Sequence, residues 1–388
     1  MTAVCGPKSI LTIILLPTIA SWLMVALGNT CTLFFISRTI LGICGGIAMP
    51  IGQTYLAEIS SPKTRGFISS TSILAAMTFG LLESIAACLV SWRALAWTNA
   101  ALVMLHLPFA FFSPESPVWL LKNDADEAAK RGLQFIRRTK HVDAELKDIK
   151  SHISDTEEQA AGNSSDLLHW TYLKPVLLLL VFMALRQFSG AFVVISYTVI
   201  IFESVGHGIL DPKVSTVILY SVQLLLNLMS NGLTDTIGRK KLIIASSLIM
   251  TASHISFGTF YYLNELDFSK MRPYNWVPLI SLIGFFVGFS IGFASIPFVF
   301  MTELLPLRIR SCGSSLISFW NNILSFIVVQ FYHRMKTEMT DAGLFWFYGS
   351  VCLFAALFCA LCLPETKGIC LRQLERELSK KSTSTLTS

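Results

Sequence analysis

Residues 273–302 run for 30 positions without one Asp, Glu, Lys or Arg. A helix needs only ~20 apolar residues to cross the hydrocarbon of a bilayer. Further uncharged runs cover 9–37, 39–57, 94–114, 214–234, 242–264, 311–333 and 342–364. Two more runs carry one charge each, Glu83 within 67–91 and Arg186 within 175–202. Gly28, Asn29 and Thr30 interrupt the first run and divide it between two helices. The pattern predicts ten membrane-spanning helices, at 9–27, 33–57, 67–90, 94–112, 175–202, 214–233, 242–263, 278–302, 312–332 and 344–363. Only 14% of the 388 residues are charged, against the ~25% of an ordinary soluble chain. The excess apolar surface, with 28 Phe in it, must face lipid, so the bilayer is the first partner the sequence implies.

Positive residues accumulate in cytoplasmic loops, so the basic residues test the count and set the orientation. One side receives Lys8, Lys63 with Arg65, nine residues between 122 and 174, Arg239 to Lys241, Arg308 with Arg310 and five in the tail, 22 in all. The other side receives six: Arg93, Lys213, Lys270, Arg272, Arg334 and Lys336. Both termini and the long loop are therefore expected in the cytosol. The expected organisation is a bundle of four helices over 1–112, a cytoplasmic loop over 113–174, a bundle of six helices over 175–364 and a cytoplasmic tail over 365–388. Within the loop, 124–153 mixes charges with Leu133, Ile136, Leu146 and Ile149, which predicts short surface helices. A net charge of +6 spread through loops gives no nucleic-acid surface. The nine cysteines stand singly, which suggests neither a disulfide framework nor a zinc site.

The chain repeats itself. Glu58 precedes Arg65 by seven residues at the end of the second predicted helix, and Glu303 precedes Arg310 by seven at the end of the eighth. Gly6-Pro7-Lys8 opens the first helix as Gly238-Arg239-Lys240 opens the seventh. Two parallel repeats are a transporter architecture. Four helices precede the loop and six follow it, which reads as a six-plus-six protein without its first two helices. The motifs Ser37-Arg38-Thr39-Ile40-Leu41-Gly42, the 58–66 loop, Pro114-Glu115-Ser116-Pro117, Asp235-Thr236-Ile237-Gly238-Arg239-Lys240 and Pro364-Glu365-Thr366-Lys367-Gly368 resemble, together, the sugar porter branch of the major facilitator superfamily. The likeness is strongest to that branch's insect facilitated trehalose transporters and runs from Gly6 to about Glu375. It implies an all-α polytopic membrane protein of two helical bundles around a central cavity, which works by rocking one bundle against the other.

The same resemblance implies roles for particular residues. Asp235, Arg239, Glu303 and Arg310, with Arg38, Glu58 and Arg65 as their partial counterpart, would form ion-pair networks across the cytoplasmic face that gate the cavity. The duplicated spacing supports that reading over one of charged anchors at helix ends. A sugar site needs donors and acceptors of matched geometry. The family pattern Gln-Gln-x-Ser-Gly-x-Asn reads here Arg186-Gln187-Phe188-Ser189-Gly190-Ala191-Phe192. Leu74 stands where the family has Gln, and Ser295-Ile296-Pro297-Phe298 replaces its Pro-x-Pro-Trp. Substrate candidates are then Gln187, Ser189, Arg186, Asn321, Asn322 and Phe298. An Arg near mid-helix costs ~2.5–3.5 kcal/mol unless it faces water or a partner. Arg186 is read either as a contact for an anionic or strongly hydrogen-bonding substrate group or as the structural partner of an acid such as Glu83. His254 reads as a buried hydrogen-bonded residue before a proton relay. Gly42, Gly45, Gly46, Gly284, Gly288 and Gly292 read as close helix packing.

There is no paired-carboxylate site, no metal-ligand cluster and no nucleophile elbow, so the sequence implies neither an enzyme nor a cofactor. The expected function is facilitated diffusion of a hexose or a trehalose-like disaccharide across the plasma membrane. Two other readings fit the residues. One is a transport-dead membrane protein, either a sensor or a truncated isoform that partners a full-length carrier; the other is a same-fold carrier of a non-sugar organic solute. The charge count makes a direct prediction. Cysteines introduced one at a time at 267–274 should react with a membrane-impermeant thiol reagent from outside intact cells, and protection there overturns the orientation.

Overall fold

The computed structural model describes residues 5–61, 64–159, 170–204, 211–306 and 309–364. Among them every regular element is a helix. That is what an apolar chain requires, since in lipid only a helix satisfies its backbone within one segment. In chain order the elements are α1 Pro7–Ile13, α2 Leu15–Leu27, α3 Cys31–Ile59, α4 Arg65–Leu89, α5 Trp92–Phe112, α6 Pro117–Lys122, α7 Asp126–Arg137 and α8 Asp143–Gln159. After the undescribed segment come α9 Trp170–Phe188, α10 Ala191–Ser204, α11 Pro212–Ile237, α12 Arg239–Leu266, α13 Phe268–Met271, α14 Val277–Gly288, α15 Ile296–Leu304 and α16 Arg310–Cys362. They fall into two compact units, Met1–Glu158 and Gln159–Ser388.

In the first unit α2 packs against α3 and α5, around Val25, Ala26 and Ala96 with Trp22 and Phe34 beside them. The unit buries little. Of the 29 residues of α3 only Ser37, Cys44 and Ile51 are buried, and a Cβ at Gly42, Gly45 or Gly46 would meet nothing within 4 Å. The close packing expected at these three glycines has no partner inside this unit. The loop helices anticipated from the charge pattern over 124–153 are α7 and α8, and α6 precedes them. Ser116 caps α6 by accepting the Trp119 N–H at 3.2 Å, with Pro117 at the first helical position, where its missing N–H costs nothing.

The Pro-Glu-Ser-Pro segment does more than start a helix. The Glu115 carboxylate accepts the backbone N–H groups of Lys8 (2.9 Å) and Ser9 (3.2 Å) and the Ser9 hydroxyl (2.9 Å), so it satisfies donors that the first turn of α1 leaves open. Gly6 lies against this carboxylate, which a Cβ there would strike. Tyr55 donates to the Pro114 carbonyl at 2.8 Å. At the end of α3, Arg137 donates from Nη1 to the Ile59 carbonyl at 3.0 Å while its Nε and Nη2 hold Glu145. The start of α1 and the end of α3 are thus tied to one loop.

The second unit has a continuous core running through α9, α10, α12, α14, α15 and α16. Its helices are interrupted inside the predicted spans. Between α9 and α10 the chain turns at Gly190, φ +78°, and the Tyr348 ring occupies the space a Cβ there would need. Between α14 and α15 lies a π-helical turn, Phe289–Phe293, followed by Pro297. α16 is two helices in one: Thr340 has φ 64° and ψ 166°, and its hydroxyl accepts the Gly343 N–H at 3.3 Å, an N-cap for the second segment. The predicted ninth and tenth helices meet at this residue.

Gly284, Gly288 and Gly292 are the close-packing stripe the sequence suggested. Cβ atoms there would come within 2.7 Å of Ser253 Oγ, 2.9 Å of Met250 Cγ and 2.5 Å of Ser246 Cβ respectively, so these positions let α12 approach the broken helix. Gly292→Val should therefore lower the melting temperature of the detergent-solubilised protein by several degrees, in line with the ~1–3 kcal/mol of overpacking. Gly343→Ala, whose Cβ would have only ordinary contacts from 3.5 Å outward, should leave it unchanged or higher. Equal melting temperatures for the Gly292 variant and wild type would show that the contact yields freely.

Candidate functional site

Among the buried polar residues of the second unit, Arg186, Gln187, Ser189, His254, Ser290 and Asn321 lie about two of its helix breaks, at Gly190 and at the π turn. Arg186 sits near the end of α9 and is 6% exposed. Its Nε donates to the Phe293 carbonyl at 2.8 Å, and there is a local reason why that carbonyl is available. Its helical donor would be the N–H four residues on, and that residue is Pro297, which has none. The π turn does not repair the loss, because the Phe298 N–H donates to Ser295. A freed carbonyl in an apolar interior costs several kcal/mol if left alone; Arg186 removes that cost from another helix.

The rest of the guanidinium is enclosed by rings. Its Cζ lies 5.3 Å from the Phe298 ring centroid, 5.6 Å from Phe289 and 5.7 Å from Phe192, each within cation–π range. Nη1 donates to Asn321 Oδ1 at 3.3 Å. The same oxygen accepts from Gln187 Nε2 at 2.7 Å, and Gln187 also donates to the Asn321 backbone carbonyl at 3.1 Å. Among the described residues Arg186 makes no ion pair. Glu83, the acid considered for it, accepts from Asn99 Nδ2 at 3.0 Å within the first unit.

The second break is closed in the same way. Ser189 donates its hydroxyl to the Arg186 carbonyl at 2.6 Å, and the Ser189 carbonyl meets His254 Nε2 at 3.0 Å. A carbonyl only accepts, so Nε2 carries the proton. His254, 1% exposed, packs among Phe285, Phe345 and Tyr348, which is the buried, hydrogen-bonded histidine the sequence favoured.

Of the expected substrate residues, the structure brings together Arg186, Gln187, Asn321 and Phe298. Ser189 is adjacent, with its hydroxyl committed to the backbone. Asn322, one position beyond Asn321, is exposed. Sequence reasoning did not find Phe192 and Phe289 as walls of the cage, nor the Phe293 carbonyl as its anchor. The available signal was the Pro four residues after Phe293.

Of the expected gating residues, Arg239 and Glu303 pair at 3.2 Å, between the start of α12 and the end of α15. Glu58 accepts from the Ser116 hydroxyl at 2.5 Å. The side chains of Arg65, Asp235 and Arg310 lie outside the described residues, as does the tail 365–388. The grouping of Arg38 with Glu58 is corrected. Both are on α3, 20 residues apart, which at 1.5 Å per residue is about 30 Å, so they stand at opposite ends of one helix. Arg38 is exposed, with its guanidinium 5.9 Å from the Trp22 ring.

Comparison with known proteins agrees with this architecture. The sugar (and other) transporter family matches residues 5–378. The facilitated trehalose transporter Tret1 of Apis mellifera ligustica is 33% identical over 366 residues, 94% of this chain and 72% of that protein. Tret1 of Anopheles gambiae is 34% identical over 96% of this chain, which spans 47% of its length. Among solved structures, the inward-open xylose transporter XylE from E. coli superposes with a TM-score of 0.78 at 21% identity, covering 97% of this chain and 83% of that one. XylE bound to 6-bromo-6-deoxy-D-glucose gives 0.73 at 22% identity, covering 97% of this chain and 84% of that one. The interrupted, membrane-length helices, the polar cluster at their breaks and a family match over almost the whole sequence have one conclusion: the chain belongs to the sugar transporter family and has the fold of the major facilitator superfamily.

Proposed function

We propose that the chain serves to carry a sugar, a hexose or a trehalose-like disaccharide, across the plasma membrane by facilitated diffusion and alternating access. The observation that carries this reading is the cluster of Arg186, Gln187 and Asn321 at two interrupted helices of membrane-crossing length. Discontinuous helices near the middle of a span are where carriers of this kind place their substrate. Phe298 offers an apolar face of the sort that stacks on a sugar ring, while Ser189 and Asn322 complete the proposed lining. The organisation goes with it: ten spans corresponding to the last ten of a twelve-helix carrier, divided into 1–112 and 175–364, with the loop 113–174, the tail 365–388 and both termini in the cytosol. The 22-to-6 split of basic residues supports the orientation, and the repeated Glu and Arg spacing at 58/65 and 303/310 supports the correspondence.

The gate in this proposal comprises Glu58, Arg65, Asp235, Arg239, Glu303 and Arg310. The Arg239–Glu303 pair, partly shielded at 16% and 27% side-chain exposure, supports it. Such a pair stabilises whichever state keeps it closed, so weakening it shifts the population toward the other.

Uptake of radiolabelled trehalose and glucose in transport-null cells tests the proposal. The 388-residue chain joined to two upstream spans should exceed empty vector several-fold, and the chain as it stands should not. In the extended protein Glu303→Gln should lower the maximal rate more than the apparent affinity. Absence of uptake by both forms defeats the carrier reading, and wild-type rates in the Gln variant reduce the pair to an interfacial anchor.

A further inference from the structure

Arg186 uses its guanidinium unevenly. Nε is committed to the Phe293 carbonyl at 2.8 Å. On the opposite edge Nη1 makes one bond, and a long one, of 3.3 Å, while Nη2 makes none among the described residues. An arginine carries five N–H donors in a planar fork, so three remain to be used, along the edge that fits a carboxylate with two parallel bonds. The one bond on that edge is also dispensable. Asn321 Oδ1 is held independently by Gln187 at 2.7 Å, so it is not orphaned when Nη1 turns to another acceptor.

Two further observations point to a ligand at this place. The positive charge is enclosed by the Phe192, Phe289 and Phe298 rings, and no carboxylate of the described residues pairs with it. Ring faces tolerate a cation but do not neutralise it, and a neutral amide side chain could donate to the Phe293 carbonyl without bringing a charge into the span. Gln187, 0% exposed, keeps its Oε1 without a hydrogen-bond donor, and so does the hydroxyl of Ser290, also 0% exposed and beside Phe289. A buried acceptor without a donor is expensive, and a hydroxyl group supplies one.

From these we infer that Arg186 selects a monoanionic solute, a sugar acid whose carboxylate takes the Nη1–Nη2 edge while a hydroxyl donates to Gln187 Oε1. The inference rests on the proposed substrate site and narrows it to one chemical class. The charge argues for one carboxylate rather than a dianion, since Arg186 is the one cation in the cluster. Arg186 then has two separable parts, an Nε that holds the broken helix in every state and an outer edge that reads the solute.

D-glucuronate and D-glucose share a ring and differ only in whether C6 is a carboxylate or a hydroxymethyl group. Their binding to the purified 388-residue chain in detergent, measured with radiolabelled sugars at pH 7, should favour glucuronate by about ten-fold, the scale of one charge-assisted pair. Arg186→Gln should bring the ratio to about one, and Arg186→Lys, which keeps the charge and loses the fork, should fall between. Equal or tighter binding of glucose by the wild-type chain overturns the inference. So does a ten-fold preference that survives in a folded Gln variant. Should the Gln variant not fold, the wild-type ratio and the Lys variant decide. Glucose binding without glucuronate binding removes the anion and leaves the sugar-carrier reading intact. Glucuronate binding by the chain, with no uptake of glucuronate or of the neutral sugars by either the chain or its upstream-extended form, removes the carrier reading and leaves the anion. Binding of neither sugar overturns both.

Discussion

A backbone carbonyl that loses its helical donor inside an apolar span must find another, and the second unit is arranged around that requirement. Three carbonyls at its interruptions are met by side chains from other helices: Phe293 by Arg186, Ser189 by His254, and Gly288, where the π turn begins, by Ser246 at 2.6 Å. The donors are of different chemical kinds, but the geometry is common to all. Each reaches across a helix–helix contact, so helix packing and closure of the break are one event. The glycine stripe along α14 and the π turn serves the same end, because α12 must come close for Ser246 to reach Gly288.

The first unit meets its own open ends differently. There the loop motif carries the donors and acceptors. Glu115 satisfies the N-terminal turn of α1, and Arg137 satisfies the Ile59 carbonyl at the end of α3 while bound to Glu145. Exposed pairs such as Lys150–Asp126 and Lys130–Asp143 add little to this, being screened by water. A segment that looks like a soluble connector in the sequence is therefore the fastening of two membrane-length helices, and Glu58 joins it through Ser116.

Most of the fold was legible because a bilayer imposes long, uncharged runs that soluble helices lack. Boundaries moved outward by a few residues at Pro7, Trp92 and Arg239, since charged and polar residues continue a helix past the hydrocarbon. The interruptions were less legible. Gly190 and Pro297 were visible, but a Gly or Pro in an apolar run states where a break is allowed and not which distant donor will close it. The site followed the same division. Arg186 was conspicuous as a charge in an apolar helix, whereas its anchor is a backbone oxygen that Pro297 frees without saying which distant side chain will take it. Arg38 was misplaced for a related reason: a repeat of residue types along the sequence does not say at which end of a helix each one lies.

The bond between Arg186 and the carbonyl that Pro297 leaves open has a consequence for how this sequence is able to change. With any residue but proline at 297, the helix would close on itself and Arg186 would lose its fixed acceptor; with a short side chain at 186, the proline would leave its carbonyl bare. The two positions are therefore coupled energetically through that one carbonyl, each substitution tolerable chiefly in the company of the other. A double-mutant cycle on Arg186→Ala and Pro297→Ala would register this as non-additive stability, and strict additivity would dissolve the coupling.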